Sequence, residues 1–248
     1  ISILELEVSP TFTGLLNIDR RFWTANTLDL SGQFTLSAPS ATVQGLSVVW
    51  GFNSDVDISA GKLIGSTTLN FLGATYAMTM TGGELEIRNV NTSLMTISIG
   101  TITLSGGTVS YTGASATTTL REEFSPYYDL RINGTSSTFS LDNDITVGND
   151  LYMVAETFNI NDFEMTINGD MFLSSGTIMT GIATVTFGNT ATNSVVISGG
   201  GLNIESNDTP NDIIINAGTW TNSAGTVAYT KADSGTTNLL ATISPYYN

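Results

Sequence analysis

The chain has 248 residues, 41% hydrophobic and only 12% charged, with 22 Asp and Glu against 7 Lys and Arg and a formal net charge of −15. That balance excludes a nucleic-acid-binding face and an anionic-membrane face, since both need clustered basic residues. His and Cys are absent, which excludes Ser-His-Asp and Cys-His catalysis, thiolate zinc sites and disulfides.

The opening Ile1–Val8 already alternates, with Leu4, Leu6 and Val8 set against Glu5 and Glu7. It has no Met and no basic n-region, and reads as a slice of something longer or a processed mature chain. No apolar run approaches the roughly 18 residues of a spanning helix. Further short alternating runs follow at 84–87, 96–104, 184–187, 195–198 and 212–216, rich in Ile, Val, Thr and Phe and bounded by Gly, Asn, Ser or Asp. These are strand signals. Helical spacing is nearly absent, and 19–26 and 120–124 read as loops or irregular turns. The fold class is all-β.

An internal repeat organises these strands. Ser-Pro recurs at Ser9, Ser125 and Ser244. Between those marks Gly61 matches Gly176, Phe71 matches Phe187, Gly83-Glu84-Leu85 matches Gly200-Gly201-Leu202, and Gly107-Thr-Val-Ser-Tyr-Thr matches Gly225-Thr-Val-Ala-Tyr-Thr. The offset drifts from 115 to 119. The expected division is residues 1–8 as the end of a preceding coil, 9–124 as copy one, 125–243 as copy two, and 244–248 as the start of a third.

A finer period lies inside each copy. A glycine followed by an apolar strand recurs at Gly61, Gly83 and Gly107, and at Gly176, Gly200 and Gly225, every 22 to 25 residues. Asn133-Gly134, Gly148-Asn149 and Asn168-Gly169 punctuate the remainder. A coil of about 20–25 residues with two or three short strands is the signature of a β-solenoid. The Gly and Asn residues then turn its corners. The expected fold is a parallel β-helix, with Leu85, Ile87, Val109, Leu202, Ile204 and Val227 pointing inward. Tandem immunoglobulin-like sandwiches are the alternative, but they need no inner 22–25-residue period.

The segment Gly107-Thr-Val-Ser-Tyr-Thr-Gly113, leading to Ser125-Pro-Tyr-Tyr-Asp-Leu-Arg-Ile-Asn-Gly134, resembles a phrase of large repetitive bacterial surface proteins. Asp144-Ile-Thr-Val-Gly-Asn-Asp-Leu-Tyr152 and Glu164-Met-Thr-Ile-Asn-Gly-Asp-Met-Phe172 continue in kind. The resemblance is to parallel β-helix, filamentous-haemagglutinin-like adhesins and extracellular fibre proteins, and it spans nearly the whole chain. It implies secretion, an elongated scaffold and an adhesive role, and it carries over no catalytic residue.

The candidate chemistry is sparse. β-Helix enzymes acting on polysaccharides need gathered carboxylates, or a base with calcium. The nearest pairs here are Asp55 with Asp57 and Asp142 with Asp144. Neither has a repeat-equivalent partner, and both read as turn or outward-facing residues. Asn207, Asp208 and Asp212 are weak calcium candidates by oxygen density, but they lack a known calcium-loop spacing and read as a turn. Thr79/Thr81, Thr101/Thr103 and Thr219/Thr221 could order water on a flat face. That row is broken by Val196 and Ser198 at repeat-equivalent places, which leaves ordinary strand threonines. Tyr127-Tyr128 and Tyr246-Tyr247, with Thr11-Phe12 at the equivalent place, could stack on sugars, but they read first as plugs over the apolar stack. Asn91, Asn133 and Asn207 head glycosylation sequons.

The expected function is therefore non-enzymatic: a structural or adhesive segment of an extracellular or cell-surface filament, without cofactor. Its partners would be itself or neighbouring repeats head to tail, and a surface polysaccharide or another cell. The alternative is a carbohydrate-active or carbohydrate-binding β-helix protein.

Overall fold

The computed structural model describes residues 33–46, 49–65, 68–88, 95–113, 116–135, 137–206 and 213–231, together with the strands Ser2–Ile3, Leu6–Val8, Gly14–Asp19 and Thr27–Leu30. Two compact units are formed, Ile1–Ala114 and Ser115–Asn248. Each is a parallel β-solenoid. Among the described residues the one helical element is the 3₁₀ turn Glu122–Phe124.

The second unit shows how the sequence builds a coil. Its first face carries the strands Asp129–Ile132, Leu151–Met153, Met171–Leu173, Ser194–Ile197 and Thr219–Asn222. The second face carries Ala116–Thr119, Ser137–Ser140, Thr157–Asn159, Thr177–Met179, Gly201–Ser206 and Thr226–Lys231. The third carries Ile145–Val147, Met165–Ile167, Val185–Phe187 and Ile213–Ile215. The chain visits the three faces in turn and pairs each strand in parallel with its counterpart one coil earlier. Leu130 pairs with Leu151, Leu151 with Met171, Met171 with Val195, and Val195 with Trp220, so successive coils take 21, 20, 24 and 25 residues.

Strands of three residues suit this geometry. Alternation places the two outer residues inward on the first and third faces and the middle one inward on the second, so in the coil from Leu151 the buried residues are Leu151 and Met153, Met165 and Ile167, and Phe158. The apolar residues therefore stack at the rung spacing of about 4.8 Å. Phe139, Phe158, Ile178 and Leu202 form one buried column, and Ile145, Met165, Val185 and Ile213 another. Each such side chain contributes about 1.5–3 kcal/mol of burial. On the first face the last described rung carries Trp220 and Asn222, whose Nε1 and Nδ2 are buried without a hydrogen-bond partner among the described residues.

The first unit follows the same plan. Phe34, Val56, Met78 and Ile102 share one column, and Val43, Leu63, Leu85 and Val109 share another. Phe52 and Phe71 stack with ring centroids 5.2 Å apart, and Phe34 meets Phe52 edge-on at 5.3 Å. Of the six inward positions named above, Leu85, Ile87, Val109, Leu202 and Ile204 are buried. Val227 is half-buried, on the last described rung of its face, where it pairs with Leu202.

The corners explain the repeat. Gly61 and Gly176 have φ of 75° and 78°, and Gly83 and Gly200 have 72° and 74°, so these two matched pairs hold the same left-handed conformation; in the third pair Gly107 has φ 81° while Gly225 is not left-handed. The corner glycines also stack closely. A Cβ on Gly200 would lie 2.3 Å from the Gly176 carbonyl oxygen, and one on Gly83 2.7 Å from that of Gly61. In the same corner column the coil before Gly176 places Glu156, at φ 71°. Its carboxylate accepts the Ser137 N–H at 3.2 Å.

Candidate functional site

The carboxylates singled out in the sequence turn out to hold backbone. Asp55 Oδ1 accepts the Ala77 N–H at 2.9 Å, and Asp144 Oδ1 accepts the Glu164 N–H at 2.8 Å, each from the next coil. Asp57 Oδ2 takes the Gln33 amide at 2.5 Å. Neither pair converges on a common point. Asp142 is exposed and lines a shallow hollow of about 50 Å³ with Leu120, Arg121, Glu122 and Glu123. That volume is far below the several hundred Å³ of a small-molecule pocket.

The same clasp recurs in the second unit. On the first face of the second unit, Asp129, Asp150 and Asp170 occupy corresponding places, Asp129 as the first residue of its strand and Asp150 and Asp170 just before theirs. Asp129 Oδ1 accepts the Asp150 N–H at 3.1 Å and the Asn149 side-chain amide at 2.8 Å. Asp150 Oδ1 accepts the Asp170 N–H at 2.8 Å, and Asp170 Oδ1 accepts the Ser194 N–H at 2.8 Å. Asn70 does the same for Thr96 at 2.9 Å. Each clasp satisfies an amide at the corner where the ladder is interrupted.

Beside the aspartates runs a second outward column, Arg131, Tyr152, Phe172 and Val196. Tyr152 and Phe172 stack at 5.1 Å with planes 11° apart, and the Arg131 guanidinium lies 5.5 Å from the Tyr152 centroid. The strand order puts Arg131 and Phe172 on opposite sides of Tyr152, so both ring faces are covered. The Tyr152 hydroxyl donates to Asp150 Oδ2 at 3.1 Å. Burial, that hydrogen bond and the charges of Asp150 and Asp129 push its ionisation up to about 12, against the opposing pull of Arg131.

In the first unit the charged cluster is Lys62, Glu84, Glu86 and Arg88. Glu86 is 3% exposed; it receives Arg88 Nε at 2.6 Å, Lys62 Nζ at 2.5 Å and the Thr112 hydroxyl at 2.7 Å. Lys62 also meets Glu84 at 3.1 Å. Burial raises the Glu86 carboxyl, but the hydrogen bonds from Arg88, Lys62 and Thr112 and the charge of Lys62 outweigh it and hold the group at about 2. Burial lowers Lys62, yet its bonds to Glu86 and Glu84 leave it above its ordinary value. Both groups are thus fixed in their charged forms at neutral pH, which suits a structural network and not a proton donor or acceptor working near pH 7.

The second face of the second unit differs from both. Its outward columns are Thr138, Thr157, Thr177, Gly201 and Thr226, and Ser140, Asn159, Met179, Asn203 and Ala228. No charge interrupts either column in a chain of net −15. Among the described residues the hydroxyls of Thr138, Thr157 and Thr177 have no protein partner. Thr-x-Thr pairs such as Thr101/Thr103 lie within one strand and show in the local sequence, whereas this row runs across coils.

Tyr127 is 0% exposed, its hydroxyl donates to the Arg121 carbonyl, and its ring tilts against Phe124 at 6.3 Å. It leaves no ring face for a sugar and fills the coil interior. Tyr128 is half-buried and Asn133 is exposed. Asn207, Asp208, Asp212, Asn91, Thr11, Phe12, Tyr246 and Tyr247 lie outside the described residues. Among those described, no three acidic side chains converge as a metal site would require. No protein-family model, curated protein or solved structure matches the chain.

Proposed function

We propose that the chain is a structural and adhesive segment of an extracellular or cell-surface β-solenoid filament, of the filamentous-haemagglutinin-like kind, joined end to end with neighbouring repeats. One observation carries this reading. The best candidate carboxylates for chemistry, Asp55 and Asp144, each clasp a backbone amide of the next coil, so the acidic side chains serve coil stacking. Assembly is then the activity, and the chain is not an enzyme. Among the described residues the parallel pairing continues from coil to coil on all three faces up to Ile213–Ile215, Thr219–Asn222 and Thr226–Lys231, a ladder that a further coil would extend by the same pairing. The uncharged Thr138–Thr157–Thr177 row is the adhesive face, suited to a neutral polysaccharide that the acidic remainder does not repel.

Concentrated protein examined by electron microscopy and fibre diffraction tests the assembly. Filaments with a repeat near 4.8 Å along their axis are expected; a monodisperse monomer at every concentration overturns it. Adhesion is tested by pull-down on insoluble neutral polysaccharides, with loss of binding expected for Thr157→Lys.

A carbohydrate-active or carbohydrate-binding β-helix is the second reading. It is favoured by the alignment of Asp129, Asp150 and Asp170 beside Tyr152 and Phe172. The covered faces of Tyr152 count against sugar stacking there. Polysaccharide turnover that disappears in Asp142→Asn or Asp144→Asn would establish this second reading in place of the first.

A further inference from the structure

We infer that Asn133 is a site of spontaneous covalent self-modification, converting through a succinimide to aspartate and isoaspartate, while the chemically identical Asn168 is protected by the fold. The chain contains two Asn-Gly steps, Asn133-Gly134 and Asn168-Gly169. Glycine after asparagine is the most permissive neighbour for this reaction, because no side chain shields the backbone nitrogen that attacks. The Gly134 nitrogen gives up its proton to solvent base and bonds to Cγ of Asn133. The side-chain nitrogen leaves as ammonia and a five-membered imide closes. Water then opens either imide carbonyl, giving aspartate or, with the chain rerouted through the side chain, isoaspartate. Water is the sole co-reactant and no redox change occurs.

The two sites differ in what holds them. Asn168 lies between rungs, its N–H donating to the Val147 carbonyl at 2.8 Å, and the attacking nitrogen of Gly169 is engaged with the Asn149 carbonyl at 2.8 Å. Gly169 is packed so tightly that a Cβ there would lie 2.4 Å from the same oxygen. Rotating that amide onto Cγ breaks a coil contact. Asn133 follows directly after the strand Asp129–Ile132 and is exposed. Among the described residues neither its side chain nor the Gly134 N–H has a hydrogen-bond partner, although Gly134 itself is buried. The coil is anchored just before this point, where the Ile132 carbonyl accepts the Val154 N–H at 2.9 Å. Conversion adds one negative charge to the formal −15 two residues from Arg131, and the isoaspartate form lengthens the backbone at the corner.

The test is incubation of the whole chain at mildly alkaline pH and physiological temperature, followed by peptide mapping for isoaspartate at both steps in the same sample. Isoaspartate is expected to accumulate at least about ten-fold faster at residue 133 than at 168, the ratio set by the hydrogen bond that must open at Gly169. In concentrated urea the two rates should converge. Gly134→Ala should slow the first site in the folded and the unfolded chain alike. Equal rates in the folded protein, or a faster reaction at Asn168, overturn the inference.

Discussion

Asp150 Oδ1 accepts the backbone N–H of Asp170 from the following coil at 2.8 Å, while Asp150 Oδ2 receives the Tyr152 hydroxyl at 3.1 Å. Removing the carboxylate leaves a corner amide without its acceptor, so Asp150→Ala is expected to cost about 1–3 kcal/mol. Asp150→Asn keeps an oxygen for the amide and removes one of three stacked charges, and should cost less than half as much. Urea unfolding of the two variants beside the parent measures the difference; equal losses would mean that charge, and not the clasp, matters.

Gly200 and Gly201 are neighbours with opposite expected tolerance. A Cβ on Gly200 would lie 2.3 Å from the Gly176 carbonyl oxygen at φ 74°, whereas the nearest atom to a Cβ on Gly201 is Thr177 Oγ1 at 3.6 Å. Gly200→Ala should destabilise by more than about 2 kcal/mol. Gly201→Ala should stabilise by about 0.5–1 kcal/mol, because a strand glycine loses more entropy on folding. Thermal melts of both variants decide the matter.

The Glu86 network makes the first unit acid-sensitive. A carboxyl held at about 2 in the folded chain, against an ordinary 4.5, adds stability above pH 4.5 that is lost as pH falls toward 2. The loss should reach about 1–3 kcal/mol. Lys62, raised in the fold, contributes fully below its ordinary 10.5 and loses that contribution as pH rises through its raised folded value. Glu86→Gln should lower the urea midpoint at pH 7 and flatten its fall below pH 4.5. An unchanged acid limb would show that other carboxylates govern it.

Tyr152 should be distinguishable among the tyrosines in an ultraviolet pH titration. Its hydroxyl is expected to ionise near pH 12, about two units above the ordinary range. Asp150→Asn should bring it down by removing the adjacent charge. Arg131→Ala should move it further up, since the guanidinium favours the phenolate.

Much of this architecture was legible in residues. The corner glycines were visible because a left-handed φ favours glycine, so Gly61, Gly83, Gly176 and Gly200 recur at a nearly fixed offset, whereas Glu156 at φ 71° in the same column gives no such signal. Leu85, Ile87 and Leu202 were readable because alternation beside such a corner leaves one choice of face. The aspartate clasps were not visible. Asp150 and Asp170 are polar residues in turn-like surroundings, and only the 20-residue coil that separates them shows that one holds the other's amide. The Arg131–Tyr152–Phe172 column was hidden for the same reason. Its members are 21 and 20 residues apart, and neighbours across coils have no local signature. Glu86 looked like the outward half of an alternating strand until Lys62, Arg88 and Thr112 closed around it.

The coils of the second unit vary from 20 to 25 residues, yet the pairing register on each face is kept, Leu151 with Met171 and Met171 with Val195. Extra residues therefore collect at corners such as the turn Asn189–Asn193, where Asn193 Oδ1 gathers the N–H groups of Asn189 and Thr190. Insertions and deletions at these corners leave the strands undisturbed, so a lineage carrying this fold can change loop length, or copy a whole coil, without redesigning the interior. A peptide grafted at 189–193 should for that reason be displayed at the rim while the stack beneath it persists.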